Sequence, residues 1–443
     1  MRIVQLTPGS GETFYCENCL RDKELVRALR ALGHDCLMVP LYLPIPLSPQ
    51  EGPEAPIFYG GLNVYLQQKT RLFRRTPRWI DRLFDWRALL RAAGRLAGMT
   101  GPAGLGEATL SMLEGEEGRQ SKELRRLGDW LAENHPPQVV CLSNALLAGL
   151  ARGLRRRLGE GLAIACFLQD EDEFVDALGE PHRGRVWEKM AALAAEIDVF
   201  IAVSRHYAAF MADRLRLPPH KVRVVYAGLS PEDYPLADAP PERPVLGFLS
   251  PMVPSKGLDV LAEAFILLKR DSRLRGLRLR VAGGGAGAAS RDYAAGVRAR
   301  LVEAGVWGDA EFLGNPPPQE RREFLRGLSV LSVPERRGEA AGLFLLEALA
   351  CGVPVVQPRV GAAPELIEAT GGGILVDRSD PAVLAEAIGG LLLDEPRRRE
   401  LGARGRAAIA EKFTARRAAE SLGAIFEGLA LAPTGPRRRT PAG

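Results

Sequence analysis

Residues 333–357 read VPERRGEAAGLFLLEALACGVPVVQ, a strand end, a loop, a short helix and a second strand in succession. Gly342, just ahead of the run LFLLEALA, lets the backbone come close to a ligand. The helix that begins there offers unpaired N–H groups and the positive end of its dipole, which suits a phosphate. Glu339 in the loop would lie toward the far end of such a ligand and Glu347 toward its near end, where carboxylates accept hydrogen bonds from hydroxyls. Gly352 and Pro354 stop the helix, and VPVV reads as a strand buried on both faces, the kind that parallel sheets use.

The chain around this stretch has 443 residues, too many for one ordinary core, which predicts two or three domains. Its 46% hydrophobic and 26% charged residues are ordinary for a soluble globular protein. A net charge of +5 from 59 basic and 54 acidic residues gives no reason to expect a nucleic-acid partner. No run of 18 apolar residues occurs and the N-terminus MRIVQLTPGSG does not read as a signal peptide, so a cytoplasmic location is expected. Six cysteines in a chain of this length do not form a disulfide framework. Cys16 and Cys19 form a C-x-x-C without a second pair, so no metal site is expected there; a redox pair and a simple helix start remain as readings.

From the N-terminus, RIVQL, a Gly-rich loop with Gly9 and Gly11, an amphipathic helix through Leu25, Leu29 and Leu32, and CLMVPLY make a βαβ opening. The loop is not a complete dinucleotide fingerprint; it is either a tight turn or a set of backbone donors for a phosphate. A helix at 77–97 follows, with Trp79, Leu83, Trp86 and Leu90 on one face and Arg78, Arg82, Arg87, Arg91 and Arg95 on much of the rest. Such a helix is either a scaffold element or one that lies on an anionic membrane surface, which would place the protein peripherally on the inner face. Alternation of strands and helices resumes through ACFLQD, IAVS and VRVVYAG, breaks at the Pro-rich DAPPERPV (238–245), and restarts at VLGFLSPMVPSKGLDVL.

With these residues in view, the stretch from Glu339 to Val356 resembles the donor-site motif of the retaining glycosyltransferases of family 4. That family's two glutamates, separated by seven residues, fall on Glu339 and Glu347, and its Lys-Gly falls on Lys256 and Gly257. The resemblance covers nearly the whole chain, strongly from about 245 to 377. It implies the GT-B fold, two doubly wound Rossmann-like α/β domains facing each other across a cleft. The first would span 1–238 with a helical insertion at about 66–133, and the second 244–412. A helix at 413–431 would cross back to the first domain, and 432–443 would be a disordered tail.

The resemblance also implies transfer of a sugar from a nucleotide-diphosphate sugar to a glycosyl acceptor with retained anomeric configuration, with no further cofactor and no metal. Lys256 and Glu339 would be catalytic, Lys256 facing the departing diphosphate and Glu339 the sugar. Glu347 would hold the ribose, the helix start at Gly342, Leu343 and Phe344 the phosphates, and Gly257, Gly9 and Gly11 would line the donor site. Asn315 would border the nucleobase. Two positions depart from the family: Pro251 stands where an Arg is expected and Gln169 where a His is expected. Arg336 and Arg337 are candidates to restore the missing charge, and Gln169, Asp170 and Glu173 would shape the acceptor side. A nucleotide-sugar-binding protein without turnover, or an epimerase on the same fold, are the alternatives.

Overall fold

A computed structural model describes residues 1–9, 17–42, 105–237, 241–284 and 288–431, with 56, 58 and 59. Gly11, Cys16, the basic helix expected at 77–97 and the tail lie outside the described residues. The chain divides into two compact units, one of residues 1–203, 208–225 and 418–443, the other of 204–207 and 226–417.

The first unit is built on a six-stranded, wholly parallel sheet. Its strands are β1 (Arg2–Thr7), β2 (Asp35–Pro40), β3 (Val139–Leu142), β4 (Ala163–Leu168), β5 (Val199–Ala202) and β6 (Val222–Val224), in the order β2-β1-β3-β4-β5-β6. All six residues of β4, AIACFL, are buried, as a strand covered by helices on both faces must be. Within the expected insertion, the described part forms helices Gly106–Leu113 and Ser121–Asn134.

The second unit repeats the plan with β7 (Val245–Leu249), β8 (Arg278–Ala282), β9 (Ala310–Phe312), β10 (Val330–Leu331), β11 (Val355–Pro358) and β12 (Gly373–Val376), ordered β12-β11-β10-β7-β8-β9. The chain starts at β7, builds outward through β8 and β9, and returns to pair β10 with the other side of β7. The order in which strands are added therefore reverses between β7 and β10, which run parallel, and ligands of such sheets collect outside the carboxyl ends of the strands at that reversal. Its core includes Phe248, Phe265, Phe324 and Phe344, each at most 1% exposed.

The division between the units falls earlier than the Pro-rich stretch 238–245 suggests. Residues 226–237 belong to the second unit because the backbone ties them there. The Leu229 N–H donates to the Phe413 carbonyl at 2.9 Å, and the Ala415 N–H donates to the Leu229 carbonyl at 2.7 Å. Prolines marked the stretch as a break, but backbone pairing decides which unit a segment joins. The final helix, Ala415–Leu431, contributes its residues from 418 onward to the first unit. Among the described residues, no helix is long and apolar enough to cross a membrane.

Candidate functional site

Lys256 closes a short turn, Pro254–Lys256, after β7, and the helix Leu258–Leu268 begins directly behind it. Between them Gly257 holds φ at +72°, and a Cβ there would stand 2.0 Å from the Pro334 carbonyl oxygen. Glycine is thus required at this position, because it lets the turn after β7 press against the loop after β10. That contact carries the Lys256 side chain, 5% exposed, into the switch point of the sheet.

There the ammonium meets two carboxyl groups. Lys256 Nζ donates to Glu339 Oε2 at 2.7 Å and to Glu335 Oε1 at 3.3 Å. Burial, and then the neighbouring Glu339 carboxylate, push Glu335 well above the ordinary carboxyl range. Burial would raise Glu339 too, but Lys256 and a hydrogen bond from Glu335 more than offset it and leave its carboxyl lowered. Of the two carboxyls, Glu335 is therefore the one that burial and its neighbour push toward the protonated form, and Glu339 the one that Lys256 holds toward the ionised form. The loop that brings the carboxyls together is held from below, where the Ala362 N–H donates to the Glu339 carbonyl at 3.0 Å.

Three residues beyond Glu339, Gly342 takes a left-handed conformation with φ +64° and starts the helix Leu343–Ala350. Gly342, at the cap position, has no side chain with which to satisfy the first N–H groups of this helix. Leu343 and Phe344 are 6% and 1% exposed and fill the core, so what they offer a ligand is backbone N–H. Glu347 lies one turn in, 4% exposed. Its carboxylate receives Arg321 Nε at 3.1 and 2.9 Å, Arg321 Nη2, and the Tyr234 hydroxyl at 3.0 Å. Burial and this carboxylate push the Tyr234 phenol well up.

Other expected residues take different places. Arg336 does not enter the space beside Pro251: its guanidinium grips Asp259 through Nη1 at 3.0 Å and Nη2 at 2.6 Å and also donates to the Pro254 carbonyl. Tyr293 completes this cluster with a 2.6 Å hydrogen bond to Asp259. The carboxylate is a better partner at that distance than open space beside a proline, so Arg336 fastens the turn that carries Lys256. Arg337 is exposed. Asn315, also exposed, follows β9 beside the turn after β8, where the Gly283 N–H donates to the Gly314 carbonyl at 3.1 Å.

In the first unit, Gly9 follows β1 with φ +81°. Gln169, expected on the acceptor side, is instead a closed structural link, 2% exposed. Its Nε2 donates to the Ser143 carbonyl, and its Oε1 accepts from Arg21, which also pairs with the buried Asp22. Ser143 Oγ donates to Asp22 Oδ2 at 2.6 Å, so the amide is consumed by a network joining the ends of β3 and β4. Asp170 stands just ahead of the next short helix, Glu171–Asp176, in a left-handed conformation with φ +56° and without a side-chain hydrogen bond to the helix start, and Glu173 is exposed.

Three residues the sequence reading did not single out belong to the site: Glu335, Arg321 and Tyr234. Arg321 had a signal. It shares one face of the helix Pro318–Arg326 with Phe324 and Leu325, and a charge on an apolar stripe marks a buried partner. Among the described residues no group of three or more His, Cys, Asp or Glu could hold a metal ion.

The family model described as Glycosyltransferase Family 4 matches residues 110–233, and the one described as Glycosyl transferases group 1 matches residues 235–408, which contain Lys256, Glu335, Glu339 and Glu347. D-inositol 3-phosphate glycosyltransferase of Corynebacterium jeikeium is 35% identical over 45% of this chain and 46% of its own. The GDP-mannose-dependent alpha-(1-6)-phosphatidylinositol monomannoside mannosyltransferase of Mycolicibacterium smegmatis is 35% identical over 40% of this chain and 44% of its own. The chain thus spans about half the length of these curated relatives. Sucrose-phosphate synthase from Thermosynechococcus elongatus superposes with a TM-score of 0.69 at 16% identity, covering 97% of this chain and 99% of that one, a likeness of fold. The two doubly wound units are those of the GT-B fold, and the chain belongs to the family 4 glycosyltransferases.

Proposed function

We propose that the protein transfers a glycosyl group from a nucleotide-diphosphate sugar to a hydroxyl-bearing acceptor, with the anomeric configuration retained. One observation carries this reading. A nearly buried lysine, a carboxylate and an uncapped helix start converge at the switch point of the second unit's sheet. Lys256 and the N–H groups that follow Gly342 stabilise charge developing on the departing diphosphate, the group whose departure dominates the barrier. Glu339 accepts hydrogen bonds from the sugar. The bond from the anomeric carbon to the phosphate oxygen breaks, the bond to the acceptor oxygen forms on the same face, and the acceptor's proton passes to the departing phosphate. No side-chain base is required for that transfer, which is consistent with a Gln at position 169.

The activities of the relatives suggest substrate classes. GDP-mannose is the donor named for one of them, and inositol phosphate and a phosphatidylinositol mannoside are the acceptors named. The test is a donor screen by thermal shift followed by a transfer assay with those two acceptor classes and with lipid extracts. A saturating donor at 100 times its dissociation constant stabilises by about 2.7 kcal/mol. Transfer with inversion, or failure of every nucleotide sugar to shift melting, would overturn the reading.

Pro251 at an expected Arg, together with Gln169 locked into its network, favours a second reading in which donor is bound without turnover. Binding with neither transfer nor hydrolysis would support it.

A further inference from the structure

The cluster at the switch point contains one acidic group more than its lysine can balance. With both carboxyls ionised, Lys256, Glu335 and Glu339 sum to a charge of −1, and a diphosphate approaching Lys256 would be repelled. With one of them neutral these three groups sum to zero, and an approaching diphosphate no longer meets a net negative charge from them. Glu335 is the group placed to be neutral. It is 4% exposed and stands 3.3 Å from Lys256 against the 2.7 Å of Glu339, so Glu339 takes the closer share of the ammonium. Its backbone is fixed on both sides, the N–H donating to the Val333 carbonyl at 2.8 Å and the carbonyl accepting from Ser379 Oγ at 2.7 Å. The side chain is thereby aimed at Lys256 by the strand end itself.

We propose that Glu335 is a positioning residue that, in its protonated form, holds Lys256 in place without neutralising it, so that nucleoside-diphosphate binding at this site requires a proton on Glu335. The inference rests on the donor-site reading of Lys256 given above. Among the described residues, the charged and titratable groups facing Glu335 are Lys256 from the turn after β7 and Glu339 from its own loop; Arg336, the next residue, is engaged by Asp259, which also accepts from Tyr293. The upward displacement of the Glu335 carboxyl by burial and by Glu339 agrees with this assignment. Above the pH at which Glu335 loses its proton, Lys256 is shared between two anions and the site carries net negative charge. Binding then weakens by up to about tenfold per pH unit, the limit for linkage to a single proton.

The experiment uses the full chain with UDP and GDP as probes, titrated calorimetrically at pH 7 and pH 9, comparing wild type with Glu335→Gln. Gln keeps the shape and a donor toward Glu339 and is neutral at both pH values. The expected result is equal affinity of the two proteins at pH 7, and at pH 9 an affinity of Glu335→Gln that exceeds wild type several-fold. Titration of the diphosphate or the base affects both proteins alike and cancels in that ratio. Equal affinities at pH 9, or a several-fold loss in Glu335→Gln at pH 7, overturn the inference while leaving the donor-site reading intact. A second measurement needs no variant: the Glu335 side-chain 13C shift of the wild type at pH 7 should be that of a protonated carboxyl, and that of a carboxylate would overturn the proposal. If neither UDP nor GDP binds at either pH, the donor-site reading fails and takes this inference with it.

Discussion

Arg321 and Glu347 form a two-pronged ion pair in which the side chains are 5% and 6% exposed. Such a pair is a poor source of net stability, since taking both charges out of water costs about what their attraction returns, but breaking it strands a charge. Arg321→Ala would leave the Glu347 carboxylate with only the Tyr234 hydroxyl, and is expected to destabilise the second unit by about 3 to 5 kcal/mol. Tyr234→Phe removes one hydrogen bond to a charged group and should cost about 1.5 to 3 kcal/mol. Denaturant unfolding of both variants checks the order; an Arg321→Ala chain as stable as wild type would mean that Glu347 is reached by water.

Lys256→Ala should weaken UDP or GDP binding by roughly 1.5 to 3 kcal/mol, the worth of a charge-assisted hydrogen bond, and leave uridine or guanosine binding nearly unchanged. The same change removes the ammonium between two carboxyls, so thermal stability must be followed alongside. Equal losses for nucleotide and nucleoside would take Lys256 away from the phosphates.

Glu335→Gln has a signature in stability as well as in binding. Because the folded state raises the Glu335 pKa, the neutral form is favoured by folding. That contribution is complete below the ordinary carboxyl range and is lost as pH rises through the folded-state value. Glu339, lowered in the folded state, works in the opposite sense, its contribution present above the ordinary range and lost as pH falls. The melting temperature of Glu335→Gln relative to wild type should therefore rise between pH 5 and pH 9. Each kcal/mol is worth about 2 to 4 °C in a domain of 150 to 250 residues. A difference that does not change with pH would show that Glu335 does not titrate in this range.

Much of this site was legible from the chain because local rules and fold agree there. The αL position at Gly342, the helix stop at Gly352 and the alternation of apolar strands with amphipathic helices each have one structural solution, and they pointed to a doubly wound unit. Glu335 was not legible. It sits four residues past β10 in a run of charges, PERRGE, where composition alone reads as a solvated loop. Only the pairing of β7 with β10 brings Lys256 to it across the sheet. The network around Gln169 was not legible for a related reason: its partners Arg21 and Ser143 lie 148 and 26 positions away, and no local pattern announces a network closed at that range.

Gly257→Ala tests the joint between the two loops. The added Cβ would meet the Pro334 carbonyl oxygen at 2.0 Å in a backbone conformation that disfavours alanine, so the turn must shift. Strain of about 1 to 3 kcal/mol is expected, with loss of diphosphate affinity because Lys256 moves with the turn. Gly276→Ala, where nothing lies within 4 Å, is the control. Similar melting temperatures and affinities for the two variants would show that the turn after β7 adapts without cost.

Arg336 offers the last test, and the structure changes what is expected of it. The missing charge at Pro251 suggested from sequence that Arg336 and Arg337 stand in for it, in which case their joint replacement by Ala would abolish turnover. The guanidinium of Arg336 is instead committed to Asp259 and to the carbonyl of Pro254, two residues before Lys256. Burial raises the Asp259 carboxyl, and Arg336 with Tyr293 more than offsets this and leaves it lowered. The pair is close to half exposed, with side chains 40% and 43% accessible, so it falls among surface pairs worth about 0.2 to 1 kcal/mol. Arg336→Ala should then raise the dissociation constant for UDP or GDP by a factor of about 1.4 to 5, through loosening of the Lys256 turn. Asp259→Asn should do the same, since it breaks the contact from the other side. Calorimetric titration of the two single variants and the double variant separates the possibilities. Equal small losses in all three fit a brace for the turn. A loss of a hundredfold or more confined to variants lacking Arg336 would return that guanidinium to the diphosphate.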